Sequence, residues 1–368
     1  MDGDLPPGLV YLDLGHSFNQ SITPGTLPTT LKNLVYNSTH PIRSRALPAS
    51  LETLELGLRY NHPLDNGVLP QTIKSLLFVR LEDVEDADDD VLPGQLFNHP
   101  LGILPSSLTD LRLPPQYGHA VVHAPLKSVL LTAPNLHRFA RNTYPNITSL
   151  DVTDVVNVSA ITSQTYPSIR KLNLSRNSSD DDDDENIVID LSSLPNTIDH
   201  LVSALFSATI TAFPKGLTKL ELWLDEDSKF RLKKGMLPDS ITSFSLYGYE
   251  HEIGSGVLPT SLTELSLYDY INEFNLKVLP LSLRSLVWTT ISNQSADYIT
   301  FFKKLPSTIV HLTLQNNRGG RLNLMRLSSD VFLSHNEDML DCGLIDMATI
   351  IKHLSGTEQP KQSDCVLM

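Results

Sequence analysis

The stretch Leu258-Pro259-Thr260-Ser261-Leu262-Thr263-Glu264-Leu265-Ser266-Leu267 decides the fold. Leu-Pro is followed by two residues, an aliphatic, two more residues, an apolar residue, one residue and a last apolar one. Of the 24 prolines, 12 follow a leucine. Ten such pairs, at Leu5, Leu27, Leu47, Leu69, Leu104, Leu194, Leu237, Leu258, Leu279 and Leu305, introduce the same pattern. Degenerate copies follow Tyr144-Pro145, Tyr166-Pro167 and Phe213-Pro214, and the weakest are Leu126/Val129/Leu131 and Ile198/Leu201. About 14 units run from Leu9 to Ile309, mostly 20 to 24 residues apart, the period of leucine-rich solenoids.

The closing apolar-x-apolar step has a period of two, so each unit ends in a very short strand with two side chains facing inward. One unit cannot bury its leucines; its neighbours above and below do so. Proline ahead of the strand fixes φ and removes a donor, which suits a turn. The segments between are polar and too irregular for useful helices. The prediction is a mainly β repeat solenoid, a leucine-rich-repeat-like arc of short parallel strands, over residues 1–325. From Ser334 the grammar changes. Leu340, Leu344, Met347, Ile351 and Leu354 fall at helical spacing, with Asn336 as cap and Gly356 as stop. This predicts a C-terminal capping α-helix within 326–354, followed by a flexible tail over 355–368.

The repeats resemble the FNIP-repeat family. The family's Phe-Asn step stands here as Phe18-Asn19, Tyr60-Asn61 and Phe97-Asn98, with a remnant at Phe274-Asn275. The resemblance covers roughly residues 5–315 and is strongest in the first five units and from Leu237 to Leu283; between 114 and 235 the Phe-Asn step is missing. The aromatic ring is expected under the outer turn, with the Asn side chain bonding backbone of a neighbouring coil. The resemblance implies a leucine-rich-like solenoid and protein–protein interaction. Some members join such repeats to an F-box, which makes a substrate-recognition adaptor of a ubiquitin-ligase-type complex the alternative reading. No room for an F-box is seen before Leu5.

Composition excludes several classes. The apolar fraction of 40% is ample for a core. No run approaches the roughly 18 apolar residues of a membrane span. No signal peptide is read at the start of the sequence. The two cysteines, Cys342 and Cys365, cannot build a disulfide framework. Of the net charge of −14, 13 acidic residues sit in the runs Glu82–Asp90 and Asp180–Glu185, so the rest stands at −1. These runs read as solvated loops without a calcium-loop pattern. A near-neutral body argues against nucleic acid as a partner.

No motif supports an enzyme, a cofactor, a metal or a small-molecule substrate. His119-x-x-x-His123 has zinc-protease spacing but lacks the catalytic Glu, so the pair reads as incidental. There is no phosphate loop and no nucleophile elbow. Arg318-Gly319-Gly320-Arg321 reads as a turn.

The repeat register points to a surface instead. Trp223, Tyr247 and Tyr268 fall in one outward column of successive strands, and Tyr249 and Tyr270 in a second. Stacked aromatic side chains on adjacent strands would form an exposed ladder, the expected binding site for a protein partner. The sequence ends Cys365-Val366-Leu367-Met368, a C-a-a-X signal whose terminal Met points to a farnesyl group on Cys365. A single lipid gives only reversible binding. The expected location is therefore the cytoplasm, with reversible association to the cytosolic face of membranes through that group.

Overall fold

The computed structural model describes residues 5–79, 96–114, 117–123, 125–139, 141–153, 155, 157–176, 188–206, 208–225, 228–270, 275–289, 302, 304–315, 321–335, 343–346 and 350. The two acidic runs, Phe274 and both cysteines lie outside the described residues. The chain divides into two compact units, residues 1–177 and 178–368.

In the first unit eight described strands pair in parallel, each with the next. They are β1 (Tyr11–Asp13), β2 (Asn33–Tyr36), β3 (Thr53–Leu56), β4 (Ser75–Phe78), β5 (Asp110–Arg112), β6 (Ser128–Thr132), β7 (Ser149–Thr153) and β8 (Lys171–Ser175). A short helix, α1 (Ala133–Phe139), follows β6. The pairing is in register, so Leu34, Leu54, Leu76, Leu111, Val129, Leu150 and Leu172 form one buried column. This is the mainly β, leucine-rich-repeat-like solenoid that the Leu-Pro period predicts.

The second unit contains β9 (Val188–Asp190), β10 (His200–Phe206), β11 (Thr209–Ala212), β12 (Lys219–Leu224), β13 (Ser243–Tyr247), β14 (Glu264–Tyr268), β15 (Ser285–Thr289), β16 (His311–Gln315), β17 (Arg321–Arg326), β18 (Val331–His335) and β19 (Gly343–Asp346). Strands β10, β12, β13, β14, β15 and β16 pair in parallel in that order. Strands β9 and β11 form a small parallel sheet of their own. From β16 onward the ladder turns antiparallel, through β17 and β18 to β19.

That change corrects the expected capping helix over 334–335 and 343–346. Ser334 lies in β18 and Leu344 in β19, so both belong to strands. Leu344 points outward, while its neighbour Ile345 is the half-buried one. The four-residue step from Leu340 to Leu344 is compatible with a helix or, being even, with one face of a strand; Val331-Phe332-Leu333 takes the strand because β17 offers it a ladder, and Gly343-Leu344-Ile345 because β18 then offers the next one. Leu340, Met347, Ile351 and Leu354 lie outside the described residues. The end of the expected solenoid at 325 falls inside β17.

Each coil is fastened to its neighbour by a device in the Leu-Pro motif itself. The proline carbonyl accepts from the amide three residues on, as in Leu31 to Pro28 and Leu262 to Pro259, which closes a turn. The residue two after proline is Ser or Thr in nine of the ten motifs. In seven of them its hydroxyl donates to a carbonyl of the preceding coil at 2.6–2.8 Å: Thr30 to Leu9, Ser50 to Leu31, Thr72 to Leu51, Ser107 to Ile73, Ser240 to Leu217, Ser261 to Ile241 and Ser282 to Leu262. The hydroxyls of Thr197 and Thr308 are buried without such a partner. Ser261→Ala should cost about 1 kcal/mol, because a part-buried bond is lost. Thermal denaturation of the full chain checks it, and an unchanged melting temperature would show the staple to be inert.

Candidate functional site

Outward positions of the second unit carry the candidate surface. Register pairing sets Trp223 beside Tyr247 and Tyr247 beside Tyr268. Adjacent strands lie about 4.8 Å apart, so rings leaving equivalent positions meet face to face. The ring centroids are 3.7 Å apart for Trp223 and Tyr247 and 4.3 Å for Tyr247 and Tyr268, both pairs within 7° of parallel. Trp223 is 40% exposed, and the two tyrosines are half-buried. Burial, with Tyr268 and the Glu221 carboxylate close by, pushes the Tyr247 hydroxyl up to about 12.

Glu221 precedes Trp223 by one outward step. It accepts from Lys219 Nζ at 2.8 Å and His200 Nε2 at 3.1 Å. Burial works against its charge, but the hydrogen bonds from Lys219 and His200 outweigh it, so the carboxyl sits below the usual glutamate value. The ladder thus stands over a settled ion pair.

The second expected column is a correction. Tyr249 and Tyr270 are each only 2% exposed. Simple alternation would keep them outward, two residues after Tyr247 and Tyr268. The residue between breaks the alternation: Gly248 has φ +67° and Asp269 has φ +56°. A left-handed residue reverses the chain direction, and the next aromatic swings into the core. There the Tyr249 hydroxyl accepts from the Leu232 amide at 3.0 Å, and that of Tyr270 from Ile253 at 3.4 Å. The rings stack on each other at 6.5 Å, and burial raises both hydroxyls.

The core aromatics form columns in the first unit too. Phe18, Tyr36, Tyr60, Phe97 and Tyr117 succeed one another at 6.0–6.3 Å. Asn19 Oδ1 accepts from the Thr39 amide at 3.0 Å and Asn98 Oδ1 from Gly118 at 2.7 Å, one coil on in each case. This is the role expected of the Phe-Asn step. A further element escaped the sequence reading: an aromatic residue followed two later by His. In Tyr60/His62, Phe97/His99, Tyr117/His119 and Tyr249/His251 the imidazole meets the ring edge-on at 5.6–5.8 Å. Nε2 of each donates to a carbonyl of the preceding coil: Thr39, Asn61, Asn98 and Ser228. His119 is therefore a structural member of this series, and His123 donates to Leu108 at 3.1 Å. The aromatic-x-His repeat was visible in the sequence, but only the coil-to-coil contact explains it. Among the described residues no group of three or more His, Cys, Asp or Glu could hold a metal ion, and no helix is long and apolar enough to cross a membrane. Cys365 lies outside the described residues.

These features define a leucine-rich-repeat-like β-solenoid with an aromatic surface. The family model described as FNIP Repeat matches residues 2–35, 36–79 and 229–269, so the chain carries FNIP repeats in those stretches. Among solved structures, CroV588, described as a novel circular LRR protein, is similar over 84% of this chain, with 24% identity and a TM-score of 0.52. The chain spans about half of that protein, 47% of its length. TLR13 from a complex with ssRNA13 aligns over 84% of this chain and 62% of its own, at 15% identity and a TM-score of 0.27. No curated protein matches.

The inward swing after Tyr247 requires Gly248, where a Cβ would run into the Leu224 carbonyl oxygen. Gly248→Ala should therefore destabilise by about 1–2 kcal/mol or more, from the left-handed backbone and that clash together. Chemical denaturation is the measure; a stability equal to wild type would refute this account of why Tyr249 is buried.

Proposed function

We propose that the chain is a non-catalytic protein–protein interaction scaffold whose partner rests on Trp223, Tyr247 and Tyr268. One observation carries the reading: three parallel, stacked rings are held in register on the outward sheet face, with Trp223 still 40% exposed. Exposed Trp and Tyr are the residues that most often anchor interfaces. Rings already stacked lose little rotamer freedom on binding, which lowers the entropic cost of association. The solenoid supports this reading because its rigid short strands present a long row of side chains at fixed spacing.

The scaffold is farnesylated at Cys365 and shared between the cytosol and the cytosolic face of membranes. The Cys365-Val366-Leu367-Met368 motif supports this part. One lipid chain anchors only marginally, so membrane residence is reversible.

Replacing Trp223, Tyr247 and Tyr268 together by Ser should abolish partner capture in an affinity pull-down, while stability falls by about 1–3 kcal/mol for two lost ring stacks. Unchanged captured proteins with that stability loss would make the ladder purely structural. For the lipid, intact-mass measurement after expression in eukaryotic cells should show a farnesyl group, loss of Val366–Met368 and a methylated carboxyl. An unmodified Cys365 with the tail intact would refute it.

A further inference from the structure

The antiparallel end of the second unit departs from the usual pattern of a sheet with one face in water. Such a sheet alternates apolar inward with polar outward. Inward, Leu322, Leu324 and Phe332 are buried as expected. Outward, however, the residues are also apolar. Met325 pairs with Leu333, and Leu333 with Leu344, giving one row across β17, β18 and β19. Leu327 extends the outward alternation of β17, and its amide bonds to the Val331 carbonyl across the turn. Met325, Leu327 and Leu344 are 41%, 52% and 46% exposed, and Val331 and Leu333 are half-buried. Three of the ten large hydrophobics exposed among the described residues thus gather on one three-stranded patch. A contiguous exposed apolar patch of this kind marks a contact surface.

We infer that this outward face, Met325, Leu327, Val331, Leu333 and Leu344, rests on a lipid bilayer and supplies the second membrane contact beside the lipidated tail. The inference builds on the farnesylation reading above. Two observations select a bilayer as occupant. First, the chain continues past Asp346, and Cys365 is the nineteenth residue beyond it. Even fully extended, 19 residues reach only about 60–70 Å. A farnesyl group in a membrane therefore holds this patch close to the same membrane, raising its local concentration there. Second, the exposed charges bordering the patch are mixed, Arg321 against Asp330 and Asp346. That is not the polybasic surface that binds anionic headgroups. It suits shallow insertion of apolar side chains at the interface of a neutral leaflet.

A single lipid and a small apolar face are each weak alone. Joined, they act as two linked sites. Met325 and Leu344 face outward, so their replacement leaves the inward core intact.

The test uses the full chain, farnesylated in vitro at Cys365 and checked by intact mass. Wild type and Met325→Ser/Leu344→Ser are floated with phosphatidylcholine vesicles, each with and without the farnesyl group. The double variant should partition on the order of ten-fold less than wild type when both are farnesylated, as expected for losing two partly inserted side chains. Equal partition of the two farnesylated proteins would overturn the inference, whatever the lipid does. Failure of the enzyme to modify Cys365, or no gain of wild type on farnesylation, would instead overturn the lipid reading and with it the linkage argued here. Should the double variant melt well below wild type, Met325→Gln alone serves, with a smaller loss of partition expected and an equal partition again decisive against the inference.

Discussion

In-register parallel pairing is the constraint on which the rest of this structure depends. Because each coil sets the same motif position above itself, any side chain is judged against its own counterpart one coil away. A leucine that meets a leucine is buried on both sides, and no single coil could achieve that. A serine hydroxyl that meets a carbonyl finds the same carbonyl at the next step. Leu34, Leu54 and Leu76, the hydroxyls of Ser50 and Thr72, and the rings of Tyr36 and Tyr60 are three readings of one rule. The fold is thereby stabilised by many small equal contributions along the chain.

The same rule explains why function gathers where it does. On the outward face most coils place Ser, Thr, Glu or Asn, which neither stack nor need to. Among the described residues only β12, β13 and β14 bring three aromatic residues to one outward column, and register then forces them into contact. Whether the following aromatic joins them is decided by one backbone angle. A residue with positive φ at 248 and at 269 sends Tyr249 and Tyr270 inward, where their hydroxyls take up backbone amides that the outer turn would otherwise leave unpaired.

At the end of the second unit the parallel grammar stops. A parallel coil needs its own outer turn, whereas antiparallel strands need only tight connections, so β17 to β19 extend the sheet at less cost in chain length. The exchange leaves two apolar faces on one three-stranded sheet: the inward one completes the core beside β16, and the outward one faces solvent.

The sequence by itself determined the solenoid, its inward leucines, the Phe-Asn step and the column of Trp223, Tyr247 and Tyr268. All of these are periodic, and periodicity survives in one dimension. It also contained the Ser or Thr after proline and the aromatic-x-His pairs, but their meaning lay in a contact some 20 residues away along the chain, which no local pattern states. Only the tertiary structure decided the burial of Tyr249 and Tyr270 and the strands in place of a C-terminal helix over 331–335 and 343–346. Both turn on where a neighbouring strand stands. A left-handed residue changes the direction of the next side chain, and the antiparallel ladder, passed from β17 to β18 and from β18 to β19, captures apolar residues whose spacing suits either a helix or a strand.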